Sequence, residues 1–235
     1  MTIQIRYAKE SDSAALGGIN VASFRHQLYW GNAFPSIADA QIVPLKEVRA
    51  LEKMGAPQVH VLTSVDTADR PVGYARWTIP GETNPHRVEL SDQAQAMVTN
   101  LSSLIPAGVR TPLYEEFFRL MKESRNEYVK EDDMILDFLA TLPEAQGKGV
   151  GTKLLQWGME QADARDARVY LEATQDGYPL YSKFGWERLE DLVIDFEPFE
   201  GKGQATGVSP ACRLKADHSL PRNVQHIRVE LPLTD

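Results

Sequence analysis

The chain has 235 residues, room for one large domain with a sizeable insertion, and its 43% hydrophobic and 25% charged residues are ordinary globular composition. With 25 basic against 33 acidic side chains the net charge is −8, which removes the long-range attraction that phosphate-backbone binding needs, so a nucleic-acid partner is excluded and a cationic substrate such as an amine is mildly favoured. The single cysteine, Cys212, rules out an intramolecular disulfide and a Cys-rich zinc site, and its place in the alternating stretch ACRLKA predicts a buried strand thiol.

The N-terminus alternates Ile3, Ile5 and Tyr7 with polar residues and predicts a strand, not a signal peptide. No run approaches the ~18 apolar residues of a membrane span. A soluble protein of a reducing, cytoplasmic compartment, monomeric or homodimeric, is the expectation. Ser11 and Asp12 can cap a helix through Leu16 and Ile19 to about Leu28, broken by the turn-rich 30-WGNAFPS-36. A short helix over about 43–53 ends at Gly55 and Pro57. The runs 58-QVHVLTSV-65 and 71-PVGYARWTI-79, separated by DTADR, predict an antiparallel hairpin.

Residues 80–131 form an insertion with helical texture over 89–101 and 112–129, serving either as a cover for the sheet or as a wall of a substrate pocket. The almost continuous apolar run 133-DMILDFLATL-142 predicts a buried central strand. Pro143 ends it, a glycine turn follows, and Leu154, Leu155, Gly158, Met159 and Ala162 mark one face of a helix from about Gly149 to Arg165. A strand at 168–174, a short helix at 177–185 and a longer strand at 186–199 come next. After the glycine-rich 201-GKGQATG-207, ACRLKA and 226-HIRVELPL-233 supply two more strands, so that C-terminal strands occupy about 186–235. The order is that of a single mixed α/β domain over 1–235.

The glycine turn, 142-LPEAQGKGVGTKLL-155, points to a phosphate ligand, because glycines entering a helix let backbone N–H groups face an anion. Its spacing decides which. A P-loop needs a second glycine where Thr152 stands and a Ser or Thr after the lysine where Leu154 follows Lys153, so a nucleotide triphosphate fails. The glycines at 147, 149 and 151 fall one residue short of the dinucleotide fingerprint. What remains is Gln146, Gly147, Lys148, Gly149, Val150, Gly151, a Q-x-x-G-x-G between a buried strand and a helix.

That motif resembles the GNAT superfamily of acetyl-CoA-dependent N-acyltransferases, in which a strand ending in proline leads to [QR]-x-x-G-x-[GA] and an amphipathic helix. The likeness continues through LEAT on the next strand to LYSKFGW, similar to the family's L-Y-x-x-x-G-F, and spans about residues 133–188. Gln146 stands where arginine is commoner, Trp186 where phenylalanine follows the glycine, and Thr174 where many members have asparagine. The resemblance implies a mixed, mostly antiparallel central sheet flanked by helices, with acetyl-CoA as cofactor. It implies that the amides from Gly147 to Thr152 face the pyrophosphate, that Leu139, Ala140 and Thr141 pair with the pantetheine arm, and that the central strand splays from its neighbour to admit it. Tyr181 is then the acid that protonates the leaving thiolate, and an amide near Leu139 or Thr141 serves the thioester oxygen. For the base, Asp137 shares an alternation face with Leu139 and Thr141 if no bulge intervenes, and Glu172 on the adjacent strand is the second carboxylate; either can act through water. The scattered histidines give no metal site. The activity expected is acetyl transfer to the primary amine of a small molecule; a protein lysine or N-terminal acetyltransferase and a silent CoA-binding module remain open.

Overall fold

The computed structural model describes residues 3–213; the expected strand at 226–233 lies outside them. β1 (Gln4–Tyr7), β2 (Val59–Val65), β3 (Pro71–Thr78), β4 (Met134–Thr141), β5 (Val169–Ala173), β6 (Glu187–Arg188) and β8 (Gln204–Arg213) form a sheet in the order β1-β2-β3-β4-β5-β8-β6, and β7 (Leu192–Asp195) pairs β8 alongside it. Neighbours are antiparallel except β4 and β5, which are parallel, so the sheet is mixed and mostly antiparallel as expected.

Helices cover both faces. α6 (Val150–Ala164) lays Val150, Leu154, Leu155 and Ala162 on Ala75, Trp77, Met134 and Leu136. On the opposite face, α1 (Ser13–Phe24) and α3 (Asp39–Gly55) pack Leu16, Ile19, Ala50 and Met54 against Val59, Val61, Tyr74 and Ala140. A third cluster joins α2 (Leu28–Ala33), α3 and α5 (Thr111–Tyr128) through Trp30, Phe34, Ile42, Leu45 and Leu113, and reaches Ile194 on β7 and Phe196 just past it. The insertion, α4 (Asp92–Thr99) and α5, thus roofs the α3 side of the sheet.

Several boundaries differ from the sequence reading. The first helix stops at Phe24, and residues expected to be a turn form α2, because burial of Trp30 and Phe34 against α3 re-aims the chain after an extended Gln27. α3 starts at Asp39 and contains Pro44; a proline forgoes its own amide bond, and the buried face of Ile42, Leu45, Val48 and Leu51 outweighs that loss. The long strand expected at 186–199 is split. Leu189 turns into the core with its amide on the Pro210 carbonyl at 2.9 Å, so β6 meets the far half of β8 and β7 the near half. β8 begins at Gln204, inside the expected glycine loop. Cys212 is fully buried on β8, and burial pushes its thiol up to about 11.

The α6 layer is held at one close contact. A Cβ at Gly158 would lie 2.1 Å from the Trp77 ring, which is itself wholly buried. Gly158→Ala is therefore expected to lower stability by about 1–3 kcal/mol through overpacking. Urea unfolding followed by tryptophan fluorescence checks this, and an unchanged midpoint contradicts it.

Candidate active site

Parallel pairing of β4 with β5 lasts for Met134 with Val169, Ile135 with Tyr170 and Leu136 with Leu171, and then stops. Beyond Leu136, β4 continues to Thr141 on β3 alone, and beyond Leu171, β5 continues to Ala173 on β8 alone. A wedge-shaped gap opens between them. Its local cause is in the register with β3: Arg76 pairs Phe138 but Trp77 pairs Leu136, leaving Asp137 as the extra residue of a β-bulge. A bulge bends its strand and resets which face later side chains take.

This corrects one expectation. Asp137 does not share a face with Leu139 and Thr141. The bulge puts Asp137 and Phe138 together on the α3 face, whereas Leu139 packs into the α6-side core. The backbone beyond the bulge alternates cleanly. The Leu142 amide donates to the Val72 carbonyl at 2.9 Å, so Leu142 and Ala140 address β3, and the backbone groups of Leu139 and Thr141 address the gap. The Thr141 carbonyl accepts from Ser23 Oγ at 3.0 Å and Gln146 Nε2 at 3.3 Å. Ala140 meets β3 with its backbone and α1 with its side chain, and does not face the gap.

The glycine turn sits at the mouth of this gap. Gly147 (φ 69°) and Gly149 (φ 81°) take left-handed conformations, and nothing lies within 4 Å of where their Cβ atoms would be. Gly149 caps α6, and no carbonyl of a described residue outside the helix accepts from the amides of Gly147 to Thr152. Unused donors and the positive end of the helix dipole thus stand together at this end of α6. The side chain of Val150 is buried in the core, so its amide is what it offers. Lys148 folds back, its Nζ donating to the Glu144 carbonyl at 2.7 Å. A Cβ on Gly151 would meet Leu180, Thr141 and Leu139 at 3.5, 3.8 and 3.9 Å, so the first turn of α6, the end of β4 and α7 (Tyr178–Ser182) converge on one spot.

At the apex of the gap stand Asp137 and Glu172, the first residues past the last parallel rung of each strand. Arg125, delivered by α5, joins them. Its Nε and Nη2 reach the two Glu172 oxygens at 2.6 and 2.7 Å, and its Nη1 reaches Asp137 Oδ1 at 2.8 Å. Thr78 Oγ1 donates to Asp137 Oδ2. Burial works against the Arg125 charge, but the two carboxylates more than offset it and hold the guanidinium above its ordinary range. Burial pushes Glu172 above the usual carboxylate range, opposed by Arg125. Glu172 is enclosed, with 1% of its side chain exposed, whereas Asp137, Thr78 and Arg125 line an open depression of about 540 Å³ together with Lys53 and Thr83. Tyr181, on α7, is buried against Trp186, and burial alone raises its hydroxyl well above the usual phenol range, so it stays protonated at any physiological pH.

The structure thus brings the glycine turn, Leu139 and Thr141 to one gap and sets Asp137 and Glu172 at its apex. Sequence reasoning missed Arg125 and Thr78. Nothing in the apolar spacing of α5 distinguishes Arg125 from its solvent-facing neighbours; its role needs the tertiary contact.

Residues 117–188 match the family model described as an acetyltransferase (GNAT) domain. A curated relative, the probable acyltransferase SID5 of Ajellomyces capsulatus, is 32% identical over 62 residues, a segment that spans 26% of this chain and 46% of that protein. Among solved structures, the histone acetyltransferase HPA2 and related acetyltransferase of Corynebacterium glutamicum superposes with a TM-score of 0.60 at 20% identity, covering 94% of this chain and all of that one. Arylalkylamine N-acetyltransferase 2 of Aedes aegypti does so with a TM-score of 0.58 at 12% identity, over 91% and 99% of the two chains. These likenesses establish the fold.

Arg125→Met leaves a buried carboxylate without its cation and is expected to cost about 3–5 kcal/mol of stability. The sign with pH follows from Glu172. Its folded pKa is already raised and rises further without Arg125, so the stability it contributes is present below its unfolded pKa and is lost as pH climbs through the folded value. Denaturant unfolding of the variant should show a larger deficit at pH 8 than at pH 5; an equal deficit contradicts this.

Proposed function

We propose that this chain, which has the GNAT fold and matches an acetyltransferase (GNAT) domain across residues 117–188, transfers an acetyl group from acetyl-CoA to the primary amine of a small molecule. The observation that carries the reading is the gap itself: parallel pairing ends at Leu136, and the unused amides of the glycine turn stand at its mouth. The fit to coenzyme A is good on three counts. The Gly147-to-Thr152 amides suit a pyrophosphate, the gap-facing backbone of Leu139 and Thr141 suits an amide-bearing arm, and the narrowing apex suits a thioester.

When bound, acetyl-CoA supplies an activated acetyl thioester. The residues of this chain then have three tasks. A gap-facing amide of Leu139 or Thr141 donates to the carbonyl oxygen as charge develops there. Asp137, facing the α3 side from which the amine arrives, accepts the ammonium proton directly or through water. Both its oxygens are engaged by Arg125 and Thr78, yet each keeps a second lone pair for this. Glu172 is enclosed behind Arg125 and is a positioning residue. Tyr181 holds its proton at the hydroxyl and gives it to the departing sulfur, a role supported by the place of α7 beside the gap.

The cluster of α2, α5 and β7 over the α3 side leaves less open sheet for a peptide to lie across, which favours a small acceptor. Among the described residues no helix is long and apolar enough to cross a membrane.

Titration calorimetry with acetyl-CoA should show saturable binding; no binding at millimolar concentration removes the proposal. Tyr181→Phe is expected to lower kcat by about 10²-fold while leaving CoA affinity nearly unchanged. An unchanged kcat removes Tyr181 from the chemistry without touching the cofactor assignment.

A further inference from the structure

The net charge of −8 hides a local excess of positive charge on the α3 side of the sheet. Lys46, Arg49 and Lys53 follow one another at i, i+3 and i+7 along one face of α3. Arg76, on β3, stacks its guanidinium 4.7 Å from the ring centre of Phe138, the residue next to Asp137 in the bulge. The Lys46 ammonium has no carboxylate partner among the described residues; it lies 5.0, 5.1 and 5.2 Å from the ring centres of Trp30, Phe34 and Tyr114. The nearby carboxylates are already committed, Glu52 to Arg49, and Asp137 and Glu172 to Arg125.

Two further observations point the same way. The Nε atoms of Arg49 and Arg76 are buried donors with no acceptor. The Lys46 ammonium end is enclosed, and burial, with the charges of Arg49 and Arg76, brings it down to about 7. Arg49 has Glu52, but Lys46 and Arg76 beside it have no carboxylate of their own among the described residues; such cations repel one another and leave donors unsatisfied, and an anion among them relieves both.

The placement matters as much as the charge. Arg76 and Thr78 are two residues apart on β3, roughly 7 Å, and Thr78 is bonded to Asp137. The cation cluster and the carboxylate that receives the amine's proton therefore stand side by side on one face. We propose that the acceptor amine also carries a carboxylate, held by Lys46 and Arg76 within the aromatic wall while its amine meets Asp137. This rests on the acetyltransferase reading and adds the acceptor's charge class to it. It also qualifies the weak preference for a cation that net charge alone implies, because the site adds local positive charge to an acidic chain.

The test uses three amines, one with a carboxylate and two without: 4-(aminomethyl)benzoate, its methyl ester, and benzylamine. Their binding to the full chain saturated with CoA is measured by calorimetry, alongside acetyl-CoA turnover. The carboxylate is expected to bind at least about tenfold more tightly than the other two. Lys46→Met and Arg76→Met should each abolish that preference with CoA affinity unchanged, and Lys46→Arg, which keeps the charge, should retain it. Equal binding of the three probes, or a preference that survives in both methionine variants, overturns the inference while the acetyltransferase reading stands. A wild-type chain that binds no CoA overturns both, and is told apart by that titration alone.

Discussion

Everything at the site depends on where β4 and β5 stop pairing. A parallel pair that continued past Leu136 and Leu171 would leave backbone groups facing each other and no room between them. The bulge at Asp137 prevents this by bending β4 while it remains bonded to β3. One extra residue has three consequences. It frees the backbone of Leu139 and Thr141 toward the gap, it turns Asp137 onto the α3 face, and it leaves the glycine turn at the mouth. The position of α6, fixed by the contact of Gly158 with Trp77 one residue from the bulge's register shift, then determines where the cradle of amides stands relative to the gap.

Ending a ladder inside a sheet exposes charge as well as backbone. Asp137 and Glu172 occupy the apex, two carboxylates on strands that no longer bond to each other, and Arg125 ties them together. The tie comes from α5, so the insertion roofs the α3 side and also braces the gap it covers. The cations on the same face follow a different rule. Lys46 and Arg76 are held against aromatic faces and not by carboxylates among the described residues. The bound carboxylates near the apex and the unbound cations beside them give the α3 side a polarity that suits an acceptor with both an amine and an anion.

Much of the fold was legible from local pattern. The apolar run of β4, the glycine turn, the α6 stripe and the β2–β3 hairpin each follow from spacing within a few residues, and the structure has them at those places. The features that read poorly are those decided at a distance. The start of α3 lies at Asp39, ahead of the expected 43, because the penalty of Pro44 is local and the burial that overrides it is not. The strand at 186–199 reads as one run, yet β8 divides it between two partners. The face of Asp137 depended on a bulge that arises from pairing with β3, and no alternation within β4 reveals it. Arg125 is a polar residue on an amphipathic helix, indistinguishable in sequence from Arg119, which makes surface ion pairs on the same helix.

The central claim is that the gap between β4 and β5, with the glycine turn at its mouth, holds acetyl-CoA. Amide hydrogen exchange resolved to single residues, with and without acetyl-CoA, tests it where it is most specific. Slowed exchange at Leu139, at Thr141 and across Gly147 to Thr152, with Ala140 unchanged on its bonds to β3, is the predicted result. Saturating acetyl-CoA that leaves those amides as they were, or that protects a different surface, would contradict it.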